Sequence, residues 1–158
     1  MHEVTVLIVE DNAELLELLL QSLPLMGDFR VFGAKDGFEG LMQFEQVHPD
    51  CVVVDVRMPE LNGYQFVRAL RGDSATAQIP LIILTALSQS RDRFVGLASG
   101  ADMFLNKPAM PSELAQAIRQ VLARTTAERE AAYTSLLEES ENIEVSAPLG
   151  AENQPIPS

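Results

Sequence analysis

Cys51-Val52-Val53-Val54-Asp55-Val56-Arg57-Met58-Pro59-Glu60-Leu61-Asn62-Gly63 is the stretch whose reading decides the fold. Cys51 to Val54 is an apolar, mostly β-branched run with none of the polar alternation of a half-wet strand, so it reads as a strand buried on both faces. Asp55 closes the run, and Met58-Pro59 and Asn62-Gly63 are loop and turn signals. The carboxylate therefore stands at the C-terminal lip of a buried strand, where open parallel sheets bind ligands. A lone Asp there is more often a turn or cap residue. Its meaning depends on what the rest of the chain brings beside it.

Two other runs share this form. Thr5 to Val9 ends in Glu10-Asp11-Asn12, and Leu81 to Leu84, introduced by Pro80, ends in Thr85-Ala86. Shorter strands are expected at Phe29 to Phe32 and at Met103 to Leu105, the latter running into Asn106-Lys107-Pro108. Helical patterns separate them. Asn12 caps a segment with Leu15, Leu16, Leu18, Leu19 and Leu23 on one face, stopped by Pro24 and Gly27. Asp36 to Val47 reads as a helix with Phe38, Leu41, Met42, Phe44 and Val47 facing in. Further helices are expected over Tyr64 to Leu70, Gln89 to Ala98, and from a Ser112 cap through Ala123, with Glu113 in the first turn of the last. The alternation predicts an α/β fold, a doubly wound five-stranded parallel sheet with helices on both faces. Right-handed crossovers place all strand C-termini on one edge, so Glu10, Asp11, Asp55, Thr85 and Lys107 are expected to share one cleft.

The chain of 158 residues suggests one domain with an appendage. No apolar run is long enough to span a membrane, and the first strand starts so near Met1 that a signal peptide is not expected, which points to the cytoplasm. The single cysteine lies inside a strand run and reads as packing. His2 and His48 match no motif. The formal charge of −12 argues against a nucleic-acid partner. Residues 1–124 hold 16 acids and 10 bases, whereas residues 125–158 hold 7 acids and 1 base, so half of the net charge lies in the last 34 residues.

Converging carboxylates raise one another's pKa unless cations compensate. Lys107 supplies one cation; an all-oxygen donor set with room for water suits Mg²⁺ better than a closed Ca²⁺ cage, and the absence of His and Cys from the strand ends disfavours zinc. A divalent ion, an ammonium and a hydroxyl around a protruding carboxylate suit phosphoryl transfer to that carboxylate.

Over residues 4 to about 124 the sequence resembles the receiver domain of two-component response regulators, of the single-domain chemotaxis-regulator type in its spacing. The resemblance rests on the acid pair Glu10-Asp11, the Asp-x-x-Met-Pro-x-x-x-Gly signature at Asp55 to Gly63, Thr85-Ala86 and Lys107-Pro108, in order and at matching strand ends. It implies a flavodoxin-like (βα)5 fold with Asp55 as phosphoacceptor, supplied by a histidine kinase or histidine phosphotransfer protein. Asp11, Asp55 and the backbone carbonyl of Arg57 would ligate Mg²⁺, with Glu10 acting through water. Thr85 and Lys107 would bind phosphoryl oxygens, Phe104 would be the switch aromatic, Ala86 would leave access open, and the Lys107-Pro108 bond would be cis. Such a protein is a signalling switch that catalyses only its own phosphorylation and dephosphorylation and acts on a protein target.

Glu10 stands where the family has Asp at the first acid, and Phe104, unlike Tyr, must act by packing alone. Arg57 and Leu87 occupy positions that tune phosphoryl lifetime in the family. A phosphatase resembling haloacid dehalogenases would want a second Asp where Arg57 stands, and a flavodoxin-like cofactor binder would not place Glu10-Asp11 against an FMN phosphate. A phosphorelay intermediate, handing phosphate to a second histidine protein, fits the same residues. Residues 1–124 are thus expected to form a stand-alone receiver, 125–145 an acidic extension with helical character over Thr126 to Leu137, and 146–158 a disordered tail. The extension reads either as a solvated, partly frayed helix or as a docking element, the latter including one that forms a homodimer.

Overall fold

The computed structural model describes residues 3–55, 63–85, 100–107 and 109–131, together with 134, 135 and 138. The helix expected over Gln89 to Ala98, Arg57, Ala86, Leu87, the Lys107-Pro108 bond and the tail 146–158 lie outside the described residues. Five parallel strands form one sheet in the order β2-β1-β3-β4-β5: β1 Val4–Val9, β2 Phe29–Ala34, β3 Cys51–Asp55, β4 Leu81–Thr85 and β5 Met103–Asn106. The fold is the doubly wound parallel α/β arrangement expected from the alternation, with the flavodoxin-like strand order that the resemblance implies. The described helices are α1 (Ala13–Ser22), α2 (Gly37–Val47), α3 (Gly63–Gly72) and α4 (Pro111–Ala123), with a 3-10 turn at Leu23–Met26. No helix among the described residues is long and apolar enough to cross a membrane.

Residues 51–54 are wholly buried, as the unbroken apolar run requires. Alternate strand residues feed two cores. Val6, Ile8, Val53 and Ile82 pack with α1 and α4 through Leu16, Leu19, Leu114 and Ile118. Leu7, Val9, Val52, Val54 and Ile83 pack on the other side with Phe66, Val67 and Leu70 of α3. Each such side chain contributes about 1.5–3 kcal/mol. A handful therefore offsets a penalty of several kcal/mol for each ion held in a buried site.

Asn12 caps α1 as expected, its Oδ1 accepting from the amides of Glu14 and Leu15. Three expectations fail. Leu18, read as part of the apolar face of α1, is exposed because that face is wider than the surface it covers. The cap of α4 is Met110 rather than Ser112, because Pro111 takes the first helical position, where its missing amide costs no hydrogen bond. On α2, Phe38 and Met42 are exposed, while Gly37 and Gly40 are buried. A Cβ on Gly40 would meet Phe66 and Val9 at 3.0 Å each. The glycines let α2 lie close on the sheet, and that approach rotates Phe38 and Met42 outward.

Beyond α4 the chain turns back on the body. Thr125 and Glu128 form a reciprocal capping box, the Glu128 amide donating to Thr125 Oγ1 at 3.1 Å and the Thr125 amide to Glu128 Oε1 at 3.3 Å. Residues 126–131 are helical. From this helix Arg129 reaches Asp102, just before β5, at 3.0 Å.

Gly40→Val is expected to destabilise the protein by about 2 kcal/mol, because overpacking against Phe66 and Val9 exceeds any gain in helix propensity. Urea unfolding monitored by circular dichroism measures it, and an unchanged midpoint would show that α2 can lift off the sheet freely.

Candidate functional site

The ends of β1, β3 and β5 carry the charged side chains of the site, and β4 ends beside them. The Glu10 amide donates to the Ala34 carbonyl at 2.9 Å, extending the β1–β2 ladder by one rung and holding Glu10 at the lip. Asp55, the last residue of β3, is in register with Leu84 of β4, and Thr85 closes β4 opposite Asn106. Lys107 follows β5 directly. Its ammonium lies 2.7 Å from Glu10 Oε1 and 3.0 Å from Asp55 Oδ2, so one cation bridges carboxylates from two neighbouring strands. Glu10 is fully buried, Asp55 is 3% exposed and Asp11 is exposed.

The Asn12 amide donates to Glu10 Oε2 at 3.0 Å. Asn12 is readable in sequence as a helix cap, but this second task follows only once the capped turn bends its amide back over the strand end. Phe104 is partly buried and packs against the core on the α3 side of the sheet. His48 ends α2 in the left-handed conformation, on the exposed surface.

Burial is the main force on Glu10, lifting its carboxyl from the usual 4.5 to about 7; Asp55 adds to the rise, while Lys107 and the Asn12 amide oppose it. Burial works against the charge on Lys107 as well, but its hydrogen bonds to Glu10 and Asp55 outweigh that, and the ammonium is held above its usual value. Two buried carboxylates share one ammonium, with Asp11 beside them. Among the described residues the cleft thus carries an excess of negative charge.

A divalent ion fits that excess. Glu10, Asp11 and Asp55 each offer one oxygen, these lie within 4.8 Å of one another, and the group contains neither His nor Cys. Hard oxygen donors, one of them on an exposed residue, suit a cation that keeps part of its water. Of the residues expected at the site, the structure brings together Glu10, Asp11, Asp55 and Lys107 through their side chains and places Thr85 at the neighbouring strand end. Arg57 falls outside the described residues.

Residues 6–119 match the family model of the response regulator receiver domain. A transcriptional regulator of Guillardia theta is 44% identical over 132 residues, which cover 84% of this chain and 49% of that protein. The chain thus spans about half the length of this curated relative. A response regulator from Chloroflexus aurantiacus superposes with a TM-score of 0.73 at 32% identity, covering 78% of this chain and all of that one. The chemotaxis protein CheY4 of Vibrio cholerae superposes with a TM-score of 0.71 at 30% identity, covering 76% and 99%.

The raised Glu10 pKa has a definite sign. The folded chain binds a proton that the unfolded chain releases above about 4.5, so in metal-free buffer this group's stabilising contribution is complete at low pH and fades as pH rises through about 7. Stability at pH 5 is expected to exceed that at pH 8 by on the order of 2 kcal/mol, and Glu10→Gln should flatten the difference. Denaturant titrations across that range in chelator test this; a slope surviving in Glu10→Gln assigns it elsewhere.

Proposed function

The chain belongs to the response regulator receiver domain family, and from that premise we propose that Asp55 accepts a phosphoryl group from the phosphohistidine of a kinase or phosphotransfer protein. The observation that carries the reading is the Lys107 ammonium at 3.0 Å from Asp55 at the open edge of the sheet. In the transfer an Asp55 carboxylate oxygen forms the new bond to phosphorus as the bond to the donor imidazole nitrogen breaks, and the imidazole leaves with that electron pair.

The neighbouring Glu10 is the poorer nucleophile. Glu10 has Oε2 tied to the Asn12 amide and Oε1 to Lys107, and burial favours its protonated form. Asp55 keeps its position through the ladder of β3 and through Lys107, which would also hold an oxygen of the transferred group. Mg²⁺, when bound, would neutralise charge on the transferring oxygens. Asp11 and Asp55 would hold it directly, with the Arg57 carbonyl as a third ligand and Glu10 at longer range. Thr85, at the end of β4, would bind a second phosphoryl oxygen.

We read the protein as a cytoplasmic switch rather than an enzyme acting on a separate substrate. Its state would pass to a protein partner through the surface that includes Phe104, β5 and α4. The receiver's own acidic charge makes direct nucleic-acid contact by this domain unfavourable.

Acetyl phosphate with Mg²⁺ is expected to add the mass of one phosphoryl group to the wild type and none to Asp55→Asn, with the label lost on hydroxylamine treatment as an acyl phosphate. Lys107→Met should cut the labelling rate about 100-fold, the scale of losing one charge-stabilising donor. Label retained in Asp55→Asn would overturn the assignment.

A further inference from the structure

The ionic cluster at the opposite edge of the sheet plays no part in the transfer. The Asp102 carboxylate receives Arg71 at 3.0 Å, Arg129 through Nε and Nη2 at 3.0 and 3.2 Å, and the Leu81 amide at 2.8 Å. Each partner belongs to a different element: Arg71 to the last turn of α3, Leu81 to the start of β4, Arg129 to the helix at 126–131. Arg129 also donates to the Gln78 carbonyl at 2.8 Å, and Arg71 to the carbonyls of Ala77 and Gly100 at 2.9 Å each. Arg129 is the single base of residues 125–158. Its guanidinium is turned inward, with the side chain 21% exposed.

The elements that carry this clasp lead to the phosphoacceptor. β5 connects Asp102 to Lys107 across five residues of extended chain, about 16 Å. α3 begins at Gly63, eight residues after Asp55, and ends beside Arg71. A paired strand is stiff along its length, so a shift of Lys107 displaces Asp102 too. Phosphorylation of Asp55 turns a carboxylate that now holds Lys107 into an acyl phosphate, and the ion pair must be remade on phosphoryl oxygens further out. A two-pronged guanidinium–carboxylate pair tolerates little displacement before its hydrogen bonds weaken.

We propose that the Arg129–Asp102–Arg71 clasp makes the helix at 126–131 a reporter arm of Asp55, held in the unmodified protein and released when phosphorylation moves β5 relative to α3. This rests on the reading of Asp55 as phosphoacceptor. Linkage makes the effect reciprocal: what releases the arm favours the phosphorylated form, and weakening the clasp strengthens binding of a phosphoryl mimic by the same factor.

The test uses the full chain with Mg²⁺ and beryllofluoride, a phosphoryl mimic on aspartate, and follows binding itself by the amide shifts of Glu10, Asp11 and Asp55. Amide hydrogen exchange over 126–131 should quicken about fivefold or more when beryllofluoride binds, and Arg129→Ala should bind it tighter by the same factor. Binding with exchange unchanged or slower in the wild type overturns the clasp and leaves the phosphoacceptor standing, and this comparison needs no variant. Equal affinity in wild type and Arg129→Ala does the same. Failure of beryllofluoride to bind at all overturns both.

Discussion

One ammonium between two buried carboxylates is the constraint on which this site depends. Strand order explains why the ammonium must come from Lys107. β1 and β3 are neighbours, so Glu10 and Asp55 face each other across one strand spacing, whereas β5 is separated from β3 by β4. Two spacings amount to about 10 Å, and only a long side chain crosses the end of β4 to reach both acids. The reach of Lys107 fills that need, and β4 closes on the small residue Thr85.

Among the described residues, charge balance at this edge is incomplete. Lys107 neutralises one buried acid, and burial, helped by Asp55, makes Glu10 favour its proton. A site so built could hold a hard cation. Its strain is tolerated because apolar residues fill both faces of the sheet beneath it.

The two edges of the sheet are alike in one respect, since each is closed by a charge cluster joining elements that the chain sequence separates. Lys107, Glu10 and Asp55 close the carboxyl edge; Asp102, Arg71 and Arg129 close the amino edge. β5 is common to both. Through Arg129 the helix at 126–131 is therefore tied to the foot of the strand that carries Lys107.

The strands were legible because residues buried on both faces leave uninterrupted apolar runs, and of the polar residues that end those runs the structure brings Glu10, Asp11, Asp55 and Lys107 together. The capping roles of Asn12 and the stop at Pro24 and Gly27 follow from local chemistry and were legible too. The inward face of α2 was not, since Phe38 and Met42 have the right spacing and hydrophobicity, and only the close approach at Gly40 turns them outward. Nor does any local signal distinguish Glu10 from Asp11, adjacent acids of which one is fully buried and the other exposed. The Thr125-x-x-Glu128 pattern announces a helix, but not that Arg129 will find Asp102. Sequence alone determined the elements and the chemistry at their ends, because periodicity and caps act over a few residues. Tertiary structure alone decided which acid is buried, which helix face turns in and which distant charges pair, because these depend on the order of strands and the closeness of layers that no single segment contains.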